Sequence, residues 1–135
     1  MTATADAIVV GAGVMGGSIA FELAKLGLDV VVVEKGGAPG HGSTSASSAI
    51  IRFNYSTLDG VATSWESKYC WEAWSDHLDC KDGYGLASFQ QTGMIVLDTP
   101  VTPRERVISL FKQVGVTYEE WDATSLRARI PGIDA

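Results

Sequence analysis

Two runs decide the fold: Ala7-Ile8-Val9-Val10-Gly11-Ala12-Gly13-Val14-Met15-Gly16-Gly17 and Val30-Val31-Val32-Val33-Glu34. Residues 7–10 are apolar, mostly β-branched and do not alternate, which suits a strand buried on both faces. The glycines that follow, Gly11, Gly13 and Gly16, are spaced as G-x-G-x-x-G. Residues 18–26 then carry Ile19, Ala20, Leu23, Ala24 and Leu26 at helical spacing, and Gly27 is a natural stop. Residues 30–33 read as a second buried strand. Two buried strands joined by one helix must run parallel with a right-handed crossover.

Each element of this pattern has a chemical use. Gly11 permits the tight turn out of the strand. Gly13 lets the backbone approach a pyrophosphate, and Gly16 lets the helix pack on the sheet. The pyrophosphate then lies at the helix amino terminus, where unpaired N–H groups and the helix dipole favour negative charge. Glu34 ends the second strand, where a carboxylate accepts hydrogen bonds from the ribose hydroxyls and repels a 2′-phosphate, which argues against NADP. Val14 and Met15 inside the turn and Lys35 after Glu34 complete the candidate cofactor-binding set. A bare glycine turn without ligand would not need these coincident features. FAD and NAD both satisfy the fingerprint.

Composition sets the outer limits. The 135 residues carry a net charge of −6, with 46% hydrophobic and 19% charged residues, so the chain reads as globular. No basic run exists to hold a nucleic-acid backbone or an anionic membrane surface. No apolar stretch has transmembrane length, and the amino terminus lacks the positive region of a signal peptide, which predicts a cytoplasmic protein. Cys70 and Cys80 make neither a disulfide framework nor a metal site by themselves and read as reduced thiols.

Further along, residues 36–48 form a Gly/Ser/Ala loop, the kind of long small-residue loop that often carries function. Residues 58–78 read as a helix and residues 89–97 as a strand. Thr102-Pro103-Arg104-Glu105 reads as a helix start, with Thr102 capping, Pro103 at the first helical position and Glu105 closing a capping box. That helix carries Val107, Ile108, Leu110, Phe111 and Val114 and ends at Gly115. Residues 118–121 read as a short strand, and residues 124–130 as a short helix stopped by Pro131.

The middle of the chain resembles a family. Gly42-Ser43-Thr44-Ser45 followed by Ile50-Ile51-Arg52-Phe53-Asn54-Tyr55 is similar to the FAD-dependent amine and amino acid oxidoreductases related to D-amino acid oxidase, in the branch of sarcosine oxidase and dimethylglycine dehydrogenase. The I-I-R-x-N-Y string is most like the β subunit of heterotetrameric sarcosine oxidase. Phe89-Gln90-Gln91-Thr92-Gly93-Met94-Ile95-Val96-Leu97 and Arg129-Ile130-Pro131-Gly132-Ile133 resemble the family's T-G strand and P-G-I turn.

The resemblance implies FAD as cofactor and an α/β fold: a Rossmann-like FAD-binding βαβ domain, its N-terminal part in residues 1–88, with the start of a mixed α+β substrate domain in residues 89–135. It implies oxidation of a C–N bond of a secondary amine or amino acid, a hydride passing to flavin N5. Ser43, Thr44 and Ser45 match positions lining the FAD pyrophosphate and flavin, the alternative being a solvated turn. Arg52 matches an arginine that binds a substrate carboxylate, and its alternative is a structural arginine pairing with an acidic neighbour or with the cofactor. Tyr55 is the second candidate substrate-binding residue, although packing explains it better. Ala49 stands where some monomeric sarcosine oxidases carry another arginine. No residue offers itself as a catalytic base. Family members are considerably longer, so the chain reads as the amino-terminal part of an enzyme completed by a C-terminal portion or a partner chain. An NAD-dependent dehydrogenase and a non-catalytic subunit of a larger complex are the rival readings. His41, in the glycine-rich loop, reads as a solvent-facing histidine, and Trp65, Trp71 and Trp74 as packing residues rather than an aromatic cage.

Overall fold

The computed structural model describes residues 4–80, 86–101 and 103–133. They fall into two compact units that divide between Ile50 and Ile51.

The first unit is the βαβ unit. Strand β1 spans Ala7–Val10, helix α1 spans Val14–Lys25 and strand β2 spans Val30–Val33. The strands pair in parallel, Ala7 opposite Val30 through Val10 opposite Val33. Gly11 N–H donates to the Val33 carbonyl at 2.7 Å, so the ladder runs on into the turn. Gly11 turns with φ +101°, a conformation that side-chain-bearing residues avoid. Helix α1 caps on Leu26, and Gly27 follows at φ +85°.

The strands are not buried on both faces as their composition predicts. Ile8 and Val10 are 67% and 85% exposed, and Val31, Val32 and Val33 are also exposed. The physical reason is that α1 covers one face of a sheet of only two strands. Among the described residues of this unit no other helix or strand lies on the second face.

The second unit is helical. Helix α2 spans Leu58–Glu72, α3 Trp74–His77, α4 Arg104–Val114 and α5 Ala123–Arg129. Thr57 starts α2, its hydroxyl accepting from Gly60 N–H at 3.2 Å. Helix α2 packs on α4. Among the described residues four apolar side chains are buried, Val61, Val107, Val116 and Leu126, and all lie in this unit.

The single helix expected over residues 58–78 breaks at Ala73, whose backbone leaves helical values (φ −114°, ψ 43°), and resumes as the short α3. The break lets the rings of Trp71 and Trp74 stack at 4.4 Å, with His77 stacked on Trp74 at 5.5 Å.

The strand expected over residues 89–97 does not form. A strand is held by ladder bonds to a neighbour, and among the described residues of this unit no strand runs beside it. Thr92 N–H instead turns back to the Gln90 carbonyl, and Gly93 adopts φ +80°. Residues 118–121 likewise form no strand: Trp121 Nε1 donates to Glu119, and Arg129 lies over the Trp121 ring while pairing with Glu119 at 3.3 Å.

Helix α4 starts one residue later than the sequence predicts. Pro103 is its N-cap, and Asp98 Oδ1 accepts from Arg104 N–H at 3.0 Å. Thr102 lies outside the described residues. The stop at Gly115, left-handed at φ +85°, is as expected.

Candidate functional site

In the first unit the glycine turn, the end of β2 and the 36–48 loop meet. Gly13 is the N-cap of α1 and offers no side-chain cap. The cap arrives from thirty residues along the chain: Val14 N–H donates to Thr44 Oγ1 at 2.9 Å. A Cβ built on Gly13 would lie 3.0 Å from that same hydroxyl oxygen. A side chain on Gly13 would therefore crowd the Thr44 hydroxyl that caps α1.

Gly16 meets a different need. A Cβ there would drive into the Gly11 carbonyl oxygen, with Gly11 C at 3.0 Å and Val9 Cγ1 at 3.4 Å. The bare residue lets α1 approach the end of β1 as the third glycine of such a turn does. The next residue, Gly17, has open space around it.

Glu34 reaches back under the turn. Its Oε2 accepts from Ala12 N–H at 2.7 Å and its Oε1 from Gly36 N–H at 2.8 Å. These two backbone donors, Ala12 first, hold the carboxyl below the usual glutamate range, with the Lys35 charge adding to the effect. A carboxylate has about four acceptor sites, so two remain for ribose hydroxyls.

The loop is fastened by Gly40 N–H donating to the Ala12 carbonyl at 2.9 Å. Ser45 closes a turn back onto Gly40, its N–H and its hydroxyl both donating to the Gly40 carbonyl. Gly11, Gly13, Val14, Gly16, Glu34 and Thr44 thus come together. Ser45 is spent on the loop itself, while Ser43, Lys35 and Met15 are exposed beside it. Ala12, Gly36 and Gly40 are the residues that sequence reading missed. They act through backbone groups, and the glycine richness of residues 36–42 was the only signal for Gly36 and Gly40.

These features fit a dinucleotide. The Gly13 cradle takes a close polar contact, the α1 amino terminus favours negative charge, and Glu34 is an ionised acceptor at the end of β2.

Arg52 and Tyr55 belong to the second unit. The Arg52 guanidinium lies over the Tyr55 ring, 5.6 Å from its centroid. It has no acidic partner among the described residues, so the pairing with an acidic neighbour considered for it is not made. Trp65 packs edge-on against Phe53 and Tyr69, apart from the Trp71–Trp74 stack, so the three tryptophans do not converge. Cys70 is a half-buried free thiol. Among the described residues no group of His, Cys, Asp and Glu is arranged to hold a metal ion. No helix of these residues is long and apolar enough to cross a membrane.

Residues 6–135 match the family described as FAD dependent oxidoreductase. The chain belongs to that family. Its cofactor is therefore FAD, and the NAD-dependent reading falls. Over 130 residues, 95% of the chain, it is 32% identical to the peroxisomal sarcosine oxidase of Mus musculus, of which this covers 32%. Over 56 residues, 42% of the chain, it is 46% identical to a glycerol 3-phosphate dehydrogenase of Caloramator mitchellensis, covering 12% of that protein. The chain thus spans about a third of the longer-matching relative. No solved structure matches it.

Proposed function

We propose that this chain is the N-terminal portion of an FAD-dependent oxidoreductase that oxidises the C–N bond of a secondary amine or amino acid, with sarcosine as the type of substrate. The observation that carries this reading is Arg52. Its guanidinium is exposed, free of any carboxylate among the described residues and steadied by the Tyr55 ring. A guanidinium in that state suits a substrate carboxylate, to which it can donate two parallel hydrogen bonds. The likeness to a sarcosine oxidase over nearly the whole chain supports the same substrate class.

FAD supplies the redox chemistry when bound, accepting the hydride equivalent at flavin N5. The chain's own residues supply binding and orientation. The α1 amino terminus would hold the pyrophosphate, Glu34 would accept from the adenosine ribose, and Arg52 would orient the carboxylate. We assign no catalytic base. The exposed strand face of the first unit fits a protein whose further chain, or a partner chain, covers it.

A glycerol 3-phosphate-like substrate is the second reading, favoured by the 46% identity over 56 residues. Substrates that lack a carboxylate separate the two. The full-length enzyme should turn over sarcosine or another N-methyl amino acid and fail with the corresponding simple amine. Equal turnover of the simple amine, or turnover of glycerol 3-phosphate alone, would overturn the proposal.

A further inference from the structure

We propose that Tyr55 is a positioning residue for Arg52: a platform, seated on the bare backbone of Gly60, that holds the guanidinium ready for a carboxylate. The inference rests on the reading that Arg52 takes the substrate carboxylate.

The platform is a ring beneath a cation. The Arg52 guanidinium lies 5.6 Å from the Tyr55 ring centroid, within the distance at which the negative face of an aromatic ring attracts a cation. An acidic neighbour would hold the same charge by taking its N–H groups. A ring face holds the charge and takes none of those donors. An arginine side chain loses rotamer freedom when it binds a ligand, and the platform takes part of that loss before substrate arrives. Its effect therefore falls on substrate affinity and not on the chemical step.

The ring is itself seated by its neighbours. Tyr55 N–H donates to the Phe53 carbonyl at 2.9 Å, a tight turn that sets where the side chain leaves the backbone. Arg106, fifty residues further on in α4, donates through Nη2 to the Ser56 carbonyl at 2.9 Å. Thr57 then caps α2 by accepting from Gly60 N–H. Gly60 completes the seat. A Cβ there would lie 3.0 Å from Tyr55 Cβ and 3.3 Å from Tyr55 Cγ, so the base of the ring lies against bare backbone in the first turn of α2. Tyr55 remains 39% exposed, so burial holds it less firmly than a core ring, and these contacts supply the rest.

The test is steady-state kinetics of the full-length holoenzyme with sarcosine, KM and kcat read separately, and the FAD affinity of each variant as a control. Tyr55→Leu removes the ring. It should raise KM about two- to fivefold, the worth of one exposed cation–π contact, with kcat and FAD affinity held. Tyr55→Phe keeps the ring and should recover most of that loss. In an Arg52→Met background Tyr55→Leu should lower kcat/KM no further, because a platform has no effect without its cation. An unchanged KM in Tyr55→Leu, or a loss that adds in full to that of Arg52→Met, would overturn the platform. So would a Tyr55→Phe as impaired as Tyr55→Leu, which would make the hydroxyl a direct substrate contact. Should Tyr55→Leu not fold, Gly60→Ala carries the same test. It favours the helix while pressing on Tyr55, and should raise KM by up to the same factor only where Arg52 is present; an unchanged KM would overturn the platform. An Arg52→Met that matches wild type, or a wild type that does not turn over sarcosine, would overturn the substrate-site reading and the platform with it. An impaired Arg52→Met beside an unaffected Tyr55→Leu would overturn the platform alone.

Discussion

Gly16 and Gly17 are neighbours in α1, yet the structure predicts opposite outcomes for the same substitution. A methyl on Gly16 drives into the Gly11 carbonyl oxygen, and two further atoms crowd it at 3.0 and 3.4 Å. The obstacles are backbone atoms of the turn and a β-branched side chain of β1, none of which can swing aside. The helix would have to back away from the strand by about an ångström, in packing that feels the addition of a single methylene. Overpacking of this kind costs about 1–3 kcal/mol, against a helix-propensity gain of about 1 kcal/mol for alanine over glycine. The displacement would also shift the α1 amino terminus, where the pyrophosphate is proposed to bind. Gly16→Ala should therefore lower stability by up to about 2 kcal/mol net of propensity and weaken FAD binding. Gly17→Ala meets open space and keeps only the propensity term, a gain of about 1 kcal/mol or less. The assay is urea unfolding of the flavin-free protein, paired with FAD titration of each variant. If Gly16→Ala matches wild type in both, or the two variants behave alike, the close approach of α1 to β1 is refuted.

Three further outcomes follow from the geometry. Glu34→Gln should weaken FAD binding at neutral pH. Because the Glu34 carboxyl titrates below the usual glutamate range, its contribution is present above that range and is lost as pH falls through the lowered value, so FAD titrations of wild type and variant should converge only below it. Arg52→Lys should raise KM for a carboxylate substrate about 10- to 100-fold, the worth of about 1.5–3 kcal/mol for a charged hydrogen bond, with FAD affinity unchanged; steady-state kinetics that match wild type would remove Arg52 from the substrate site. Thr57→Ala removes the hydroxyl that accepts from Gly60 N–H at the start of α2 and should cost about 1 kcal/mol, read as a lower urea midpoint with no change in FAD affinity.

The βαβ unit was legible because its signals are local. Three glycines at fixed spacing, two β-branched runs and Glu34 each name a backbone or charge requirement within thirty residues. Helix α4 was legible at Gly115, where only a left-handed residue ends it comfortably, but not at its start, because Asp98 reaches it from outside the local pattern. The strand expected over residues 89–97 failed for the converse reason. An apolar sequence states a preference for extended backbone, and only a neighbouring strand turns that into a ladder. The burial of β1 and β2 on both faces was a demand the sequence made and one helix could not meet. Within the site, Thr44 was legible as a residue type, whereas the parts played by Ala12 and Gly40 were not, since a backbone N–H or carbonyl leaves no mark on the sequence.

The central claim is that this chain contributes the FAD-binding turn of an oxidoreductase acting on amines or amino acids. An anaerobic absorbance titration of the full-length protein tests it most directly. The account predicts a yellow protein whose flavin absorbance bleaches with sarcosine or another N-methyl amino acid and stays unchanged with glycerol 3-phosphate. A colourless protein that takes up no FAD, or a flavin that bleaches with glycerol 3-phosphate and with no amine or amino acid, would contradict it.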